Sequence, residues 1–147
     1  MPSSDSFRDA RVVITAGGSG IGRVFARRFS AAGARVALCD SDPAAVEAAG
    51  RDLTGGIAVP ADVTDEAQMT GFFQAVEDRW GGADIVIANA GTGGPAGGIE
   101  DQTLADWRAC LAVNLDGAFL TCRWAARVLS QAGGGSLILM SSSAGLH

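Results

Sequence analysis

Short apolar runs recur along the chain and are separated by longer amphipathic stretches. The runs are continuous rather than alternating, which is the pattern of strands covered by helices on both faces. We therefore predict five buried strands, at Val12–Thr15, Val36–Cys39, Ile57–Val59, Ile85–Ala88 and Leu137–Met140.

Helical spacing fills most of the intervals between these runs, with apolar residues recurring every three or four positions. Asp42 and Pro43 have the pattern of an N-cap followed by proline at the first helical position. We predict helices over residues 20–32, 43–49, 65–80 and 104–131. Strands that alternate with helices through short connections indicate an α/β fold with a doubly wound parallel sheet.

The last predicted helix, Leu104 to Gln131, is apolar on two opposed sides when its residues are placed about 100° apart. One side groups Leu111, Leu115, Ala118, Cys122, Ala125 and Leu129, and the other groups Val113, Leu120, Trp124 and Val128. Such a helix needs cover on both sides. The sheet can cover one side, so we expect another part of the protein or a partner subunit to cover Leu120, Trp124 and Val128.

The charge balance excludes several classes of protein. The formal net charge is −5, all 11 basic side chains are arginine, and the sequence contains neither lysine nor tyrosine. A lysine-dependent phosphate loop and a lysine Schiff base are therefore excluded. An acidic chain with scattered arginines lacks the basic surface that nucleic-acid binding requires, so we expect no nucleic-acid partner. We also expect no membrane association, because no run approaches the ~18 apolar residues of a membrane span.

The cysteines and the single histidine give no metal-binding pattern. Cys39, Cys110 and Cys122 are far apart in the sequence, and the histidine is the terminal His147. We therefore expect no metal site. Buried, reduced thiols are the expected state of the cysteines, which is consistent with a cytoplasmic protein.

A glycine-rich turn, TAGGSGIG from Thr15 to Gly22, joins the first predicted strand to the first helix. Such a turn lets the backbone approach a pyrophosphate and directs free N–H groups and the positive helix end towards it. By itself the turn is also compatible with close helix packing. Asp40, however, ends the second strand, where a carboxylate accepts hydrogen bonds from the adenosine ribose hydroxyls. The two features together predict a dinucleotide site.

Five segments follow one another in the order of a known set of motifs. TAGGSGIG is similar to TGxxxGxG, and Asp62-Val63 is similar to a pair that contacts adenine. ANAG at residues 88–91 is similar to NNAG, which ends a fourth strand. VNLDG at 113–117 is similar to a segment with a catalytic asparagine, and GSLILMSS at 135–142 is similar to a fifth strand with a catalytic serine. From Arg11 to His147 the chain thus resembles the short-chain dehydrogenase/reductase family.

The resemblance implies an NAD(P)-binding Rossmann fold with strand order 3-2-1-4-5, in which residues 1–147 form a single domain that is incomplete at its C-terminus. The implied catalytic residues are Ser142, which would hold the substrate oxygen, and Asn114, whose backbone would hold a water of the proton relay. The implied cofactor-binding residues are Ala16, Ser19, Gly20, Ile21, Gly22, Asp40, Asp62, Val63, Asn89, Ala90 and Gly91.

The chain departs from the family pattern at three points. Ala16 replaces the first glycine of TGxxxGxG and Ala88 replaces the first asparagine of NNAG. Both replacements are small, and we expect neither to abolish cofactor binding. The family's YxxxK motif, whose tyrosine is the general acid/base, would follow shortly after His147. We therefore expect a chain truncated before this motif and inactive by itself.

The resemblance implies an oxidoreductase that transfers a hydride between a nicotinamide cofactor and a secondary alcohol or ketone. NAD is favoured over NADP, because Asp40 would repel a 2′-phosphate and neither Ser19 nor Ser41 offers a positive charge. A homodimer or homotetramer through Leu104–Gln131 is expected.

Two alternatives stay open: a non-catalytic dinucleotide-binding module or degenerate fragment, and a flavin- or nucleotide-sugar-binding Rossmann protein, which fits the glycine spacing less well. A tyrosine followed four residues later by lysine, beyond His147, would favour the enzyme over the module.

Overall fold

Five parallel strands form the centre of the structure, a computed structural model that describes residues 7–142. They are β1 (Arg11–Thr15), β2 (Arg35–Asp40), β3 (Ile57–Pro60), β4 (Ile85–Ala88) and β5 (Ser136–Leu139). Their order in the sheet is β3-β2-β1-β4-β5, which confirms the predicted doubly wound topology. Each strand begins and ends within one residue of its predicted bounds.

Five helices connect the strands: α1 (Gly20–Ala31), α2 (Pro43–Gly50), α3 (Glu66–Trp80), α4 (Leu104–Leu111) and α5 (Gly117–Gln131). Local side-chain chemistry fixes where three of them begin. The carboxylate of Asp42 accepts the Ala44 N–H at 2.9 Å and caps α2, as predicted from the Asp-Pro pair. Asp65 caps α3 in the same way, and Thr103 with Asp106 forms a capping box at the start of α4.

Successive residues of each inner strand enter two separate apolar cores, one on each face of the sheet. In β1, Val12 and Ile14 pack on the side of α1 and α2, whereas Val13 packs on the side of α3 and α5. All three side chains have no exposed surface. Burial on both faces explains why the strands appear in the sequence as continuous apolar runs.

Strand β5 is covered far less than the other strands. Within the described residues it pairs with β4 alone, and its side chains are exposed on both faces of the sheet. Ile138 is 42% exposed and Leu139, on the opposite face, is 56% exposed. The open edge and the two uncovered apolar faces make β5 the least protected part of the sheet.

The predicted continuous helix over residues 104–131 is wrong in its middle. Helices α4 and α5 are joined by a π-helical turn at Ala112–Asp116. Asn114, within the turn, and Gly117, at its end, are both weak α-helix formers. A π turn contains more residues per turn than an α-helix, so it changes which side chains of the following helix face the core.

The prediction that Leu120, Trp124 and Val128 need cover from outside the chain is also wrong. All three are buried, and the Trp124 ring stacks on Phe73 of α3 with 4.4 Å between ring centroids. The reason is that α5 packs against both α3 and the sheet, so one broad face of the helix is buried. The apolar side chains exposed on this part of the chain are instead Leu104, Trp107, Leu115 and Phe119.

The homo-oligomer through Leu104–Gln131 stays a prediction, and these four exposed side chains are the apolar ones that such an interface would bury.

No helix in residues 7–142 combines the length and the apolar character needed to cross a membrane.

Candidate functional site

The glycine-rich turn lies where β1 passes into α1, at the carboxyl end of the sheet. The Gly17 N–H donates to the Cys39 carbonyl at 2.9 Å, which joins the turn to β2. A Cβ at Gly22 would overlap the carbonyl oxygen of Ala16, so the start of α1 packs directly on the turn. Ser19 precedes the helix without a capping hydrogen bond from its side chain, which leaves the first N–H groups of α1 available to a ligand.

Ala16, which stands at the family's glycine position, has a backbone φ of +51°. This is the left-handed region, where a residue with a Cβ is strained and glycine is not. The local backbone therefore has a conformation that favours glycine, although the residue is alanine. The strain at Ala16 is the physical consequence of that difference.

The Asp40 carboxylate lies against the glycine-rich turn. One oxygen, Oδ2, accepts the Gly18 N–H at 3.0 Å, and the other, Oδ1, accepts the Asp42 N–H at 3.2 Å. Beside it opens a cavity of about 330 Å³. Seven of the predicted cofactor-binding residues line this cavity: Ala16, Ser19, Asp40, Asp62, Val63, Ala90 and Gly91.

Asp62 is held in place by local hydrogen bonds after β3. Its Oδ1 atom accepts both the N–H and the hydroxyl of Thr64, at 2.9 and 2.8 Å, and its own N–H donates to Gln68 Oε1 at 3.0 Å. The neighbouring Val63 packs on Gly117, where a Cβ would come within 2.8 Å of Val63 Cγ2. Close approach of α5 therefore fixes this wall of the cavity.

A second cavity, of about 670 Å³, continues the first along the carboxyl ends of β4 and β5. It brings together four other residues of the predicted site, Ile21, Asn89, Asn114 and Ser142, and Ser141 also lines it. The two cavities share Ala90, Gly91 and Thr92, so they form one cleft. Gly20 and Gly22 belong to the start of α1 and line neither cavity.

Asn89 ties β4 to the glycine-rich turn. Its Nδ2 atom donates to the carbonyl oxygens of Thr15 and Ala16, both at 3.1 Å. The Thr15 hydroxyl in turn accepts the N–H groups of Asn89 and Ala90. This role of Thr15 was not predicted. The available signal was a polar residue at the end of an apolar run, where a buried hydroxyl needs a hydrogen-bond partner.

Asn114 contacts the loop that follows β4. Its Oδ1 atom accepts the Thr92 N–H at 2.9 Å, and its Nδ2 atom donates to the Thr92 carbonyl at 2.7 Å. Thr92 is a second site residue that was not predicted, and no local sequence pattern indicates it. The water that the family resemblance implies at the Asn114 backbone stays a prediction.

The cysteines differ in burial, and the prediction that all three are buried is wrong. Cys39 has no exposed surface, and burial raises the pKa of its thiol to about 12. Such a thiol is protonated at neutral pH and acts as a packing residue. Cys110 and Cys122 are half-buried.

Comparison with known proteins gives consistent results. Residues 10–147 match the family described as short chain dehydrogenase. The chain is 32% identical to levodione reductase from Leifsonia aquatica, over 96% of this chain and 55% of that protein. It is 35% identical to D-threitol dehydrogenase from Mycolicibacterium smegmatis, over 90% of this chain and 52% of that protein.

Solved structures agree with the sequence comparison. The crystal structure of levodione reductase superimposes with a TM-score of 0.92, covering 96% of this chain and 57% of that one. A 3-ketoacyl-ACP reductase from Sinorhizobium meliloti, 37% identical, gives a TM-score of 0.83 over 90% of this chain and 53% of that one. The chain thus spans about half the length of the curated relatives that it matches. On the evidence of the matched motifs, the fold and these relatives, the chain belongs to the short chain dehydrogenase family.

Proposed function

We propose that this chain is the cofactor-binding part of an NAD-dependent oxidoreductase that interconverts a secondary alcohol and a ketone. Membership of the family implies NAD or NADP as the cofactor. The observation that supports the proposal is the continuous cleft across the ends of the strands. Asp40 lines the smaller cavity of that cleft, and Ser142 and Asn114 line the larger one.

The residues of the cleft fit a dinucleotide. The turn is closely packed: a Cβ at Gly18 would lie 3.0 Å from Asp40 Oδ2 and from the Cβ of Ala45, so a side chain there would crowd the Asp40 carboxylate. The uncapped start of α1 offers N–H groups and the positive helix end to a pyrophosphate. Ser19, Asp40 and Asp62 offer polar groups to a nucleoside in the smaller cavity.

The preference for NAD rests on charge. Asp40 and the uncharged Ser19 and Ser41 line the same cavity. A 2′-phosphate beside Asp40 would bring two anions together, and two unit charges about 4 Å apart repel by about 4 kcal/mol at an effective dielectric constant of 20. The same carboxylate can accept hydrogen bonds from the two ribose hydroxyls of NAD.

The chain's own residues have separate tasks in the reaction. The bound cofactor supplies or accepts the hydride. Ser142, a neutral donor in the larger cavity, would hold the oxygen of the substrate. Ile21, which is 62% exposed in the same cavity, would offer an apolar wall. The oxygen also needs a proton donor or acceptor, and we assign this to the tyrosine of the family's YxxxK motif, which the 147 residues do not contain.

The test is direct titration of the chain with NADH and with NADPH, followed by the fluorescence of the reduced nicotinamide. We expect NADH to bind at least about tenfold more tightly, since about 1.4 kcal/mol of the repulsion is enough for that ratio. Asp40→Asn keeps an oxygen that can accept the Gly18 N–H but removes the charge, so it should weaken the discrimination.

Asp42→Asn is the matched control, because asparagine still caps α2 and the charge removed lies outside the cavity lining. Equal binding of NADH and NADPH by the unmodified chain would contradict the NAD preference. Failure of both to bind would contradict the proposed function as a whole.

A further inference from the structure

Two hydrogen bonds with the Asn114 side chain hold the loop after β4 at a single residue, Thr92. The Asn114 amide occupies both backbone groups of Thr92, accepting its N–H and donating to its carbonyl. Because the N–H can only donate and the carbonyl can only accept, the orientation of the Asn114 amide is fixed. One N–H of Asn114 is left over for another partner.

Cys110 supplies that partner from one helical turn earlier, at the end of α4. Its Sγ atom accepts from Asn114 Nδ2 at 3.2 Å. The thiol also points to the Thr92 carbonyl, with 3.8 Å between Sγ and the oxygen. Cys110, Asn114 and Thr92 thus form a closed triangle in which the thiol both accepts and donates.

Thr92 lies where the two cavities of the cleft meet and lines both of them. Any shift of the Thr92 peptide therefore changes the wall between the part of the cleft assigned to the nucleoside and the part assigned to the reaction. The thiol also lies under the next part of the loop, since a Cβ at Gly94 would come 3.7 Å from Cys110 Sγ.

We propose that Cys110 is a positioning residue: its thiol fixes the Asn114 amide and, through it, the Thr92 peptide at the junction of the cofactor and substrate cavities. This inference rests on the proposed function for the meaning of the two cavities. Without the sulfur, one Asn114 N–H loses its protein acceptor, and within residues 7–142 only the two hydrogen bonds to the Thr92 peptide, itself part of the loop, still hold the amide. The loop then moves relative to the rest of the cleft.

Amide hydrogen exchange at Thr92, followed by NMR without cofactor, tests the geometric part. In Cys110→Ala we expect exchange to be about threefold to tenfold faster, as for the loss of one net hydrogen bond. Cys110→Ser keeps a donor and an acceptor and should restore most of the protection. Cys122→Ala, the matched control, removes a half-buried thiol from α5 and should leave Thr92 unchanged.

An Asn114→Ala background separates positioning from simple packing. If the thiol acts through Asn114, adding Cys110→Ala to Asn114→Ala accelerates exchange at Thr92 much less than Cys110→Ala does alone, and the remainder reports the direct contact of the thiol with the Thr92 carbonyl. Unchanged exchange in Cys110→Ala, no restoration by serine, or equal acceleration by Cys122→Ala would each overturn the inference. Should Cys110→Ala fail to fold, Cys110→Val, which fills the space of the thiol without a donor or an acceptor, takes its place in the same comparisons.

NADH titration of the same variants connects the geometry to binding. We expect Cys110→Ala to weaken NADH binding several-fold, with partial recovery in Cys110→Ser. Normal NADH affinity in Cys110→Ala would overturn the proposed link between the thiol and the cleft. Absence of NADH binding in every variant, with Thr92 exchange still dependent on Cys110, would contradict the proposed function and leave the positioning role intact.

Discussion

Replacement of Gly22 by alanine tests the close contact between α1 and the glycine-rich turn. The added Cβ would overlap the carbonyl oxygen of Ala16 and come within 2.6 Å of Asn89 Nδ2. Neither neighbour can yield easily, because the first is backbone and the second is held by two hydrogen bonds to backbone carbonyls. The substitution therefore forces either the turn or Asn89 to move.

The free energy of unfolding should fall despite the better helix propensity of alanine. Alanine gains about 0.5–1 kcal/mol over glycine inside a helix. Overpacking at a closed site costs about 1–3 kcal/mol, and each Asn89 hydrogen bond that breaks costs about 0.5–1.5 kcal/mol more. We expect Gly22→Ala to destabilise the chain by about 1–3 kcal/mol and to weaken NADH binding.

Gly71 provides the matched control for this experiment. It lies within α3, and a Cβ added there would meet nothing within 4 Å. Gly71→Ala should therefore stabilise the chain by about 0.5–1 kcal/mol. Urea denaturation at low protein concentration, followed by circular dichroism, measures both variants. A gain in stability for Gly22→Ala similar to that of Gly71→Ala would refute the reasoning.

Three further predictions follow from other parts of the structure. Ala16→Gly should raise the free energy of unfolding by about 0.5–1 kcal/mol in the same urea experiment, because the relieved backbone strain exceeds the entropy that glycine adds to the unfolded chain. A loss of stability would contradict the conclusion that the backbone at Ala16 is strained. The hydrogen bond from Arg11 holds the pKa of Asp84 below its ordinary value. The ionised Asp84 therefore stabilises the fold above pH ~4, and this contribution is lost as the pH falls through the lowered folded-state pKa. Asp84→Asn should flatten the dependence of the unfolding free energy on pH at acid pH, and an unchanged dependence would contradict this. Ile138→Lys on the exposed edge strand should reduce concentration-dependent association in light scattering. Ile99→Lys should not, because it removes an even more exposed apolar residue that lies outside the sheet.

The strands could be predicted from the sequence because their signal is local. The IVIA run of β4 begins and ends at the predicted residues, since burial on both faces leaves no polar position inside it. The start of α2 is equally local, because Asp42 and Pro43 carry the capping chemistry in adjacent residues. The glycine-rich turn and Asp40 were found for the same reason: each lies at the end of a recognisable strand.

The contacts that shape the cleft could not be predicted, because they join residues that are far apart in the chain. Asn89 and Thr15 are separated by 74 positions, and Asn114 and Thr92 by 22. The error at Trp124 has a related cause. Uniform spacing of about 100° gives the side of the helix on which Trp124 lies, but it contains no information on where α3, which covers that side, lies.

The π turn at Ala112–Asp116 has a consequence for how this segment can vary. An α-helix advances by about 100° per residue. In an uninterrupted helix, the direction of the residues that face the cleft therefore determines which residues face the core. The wider π turn changes this angular relation between Cys110, which contacts the loop after β4, and Trp124, which packs on α3. Substitutions that reshape the binding loop can therefore accumulate in α4 without repacking α5, and the core can be repacked without altering the loop.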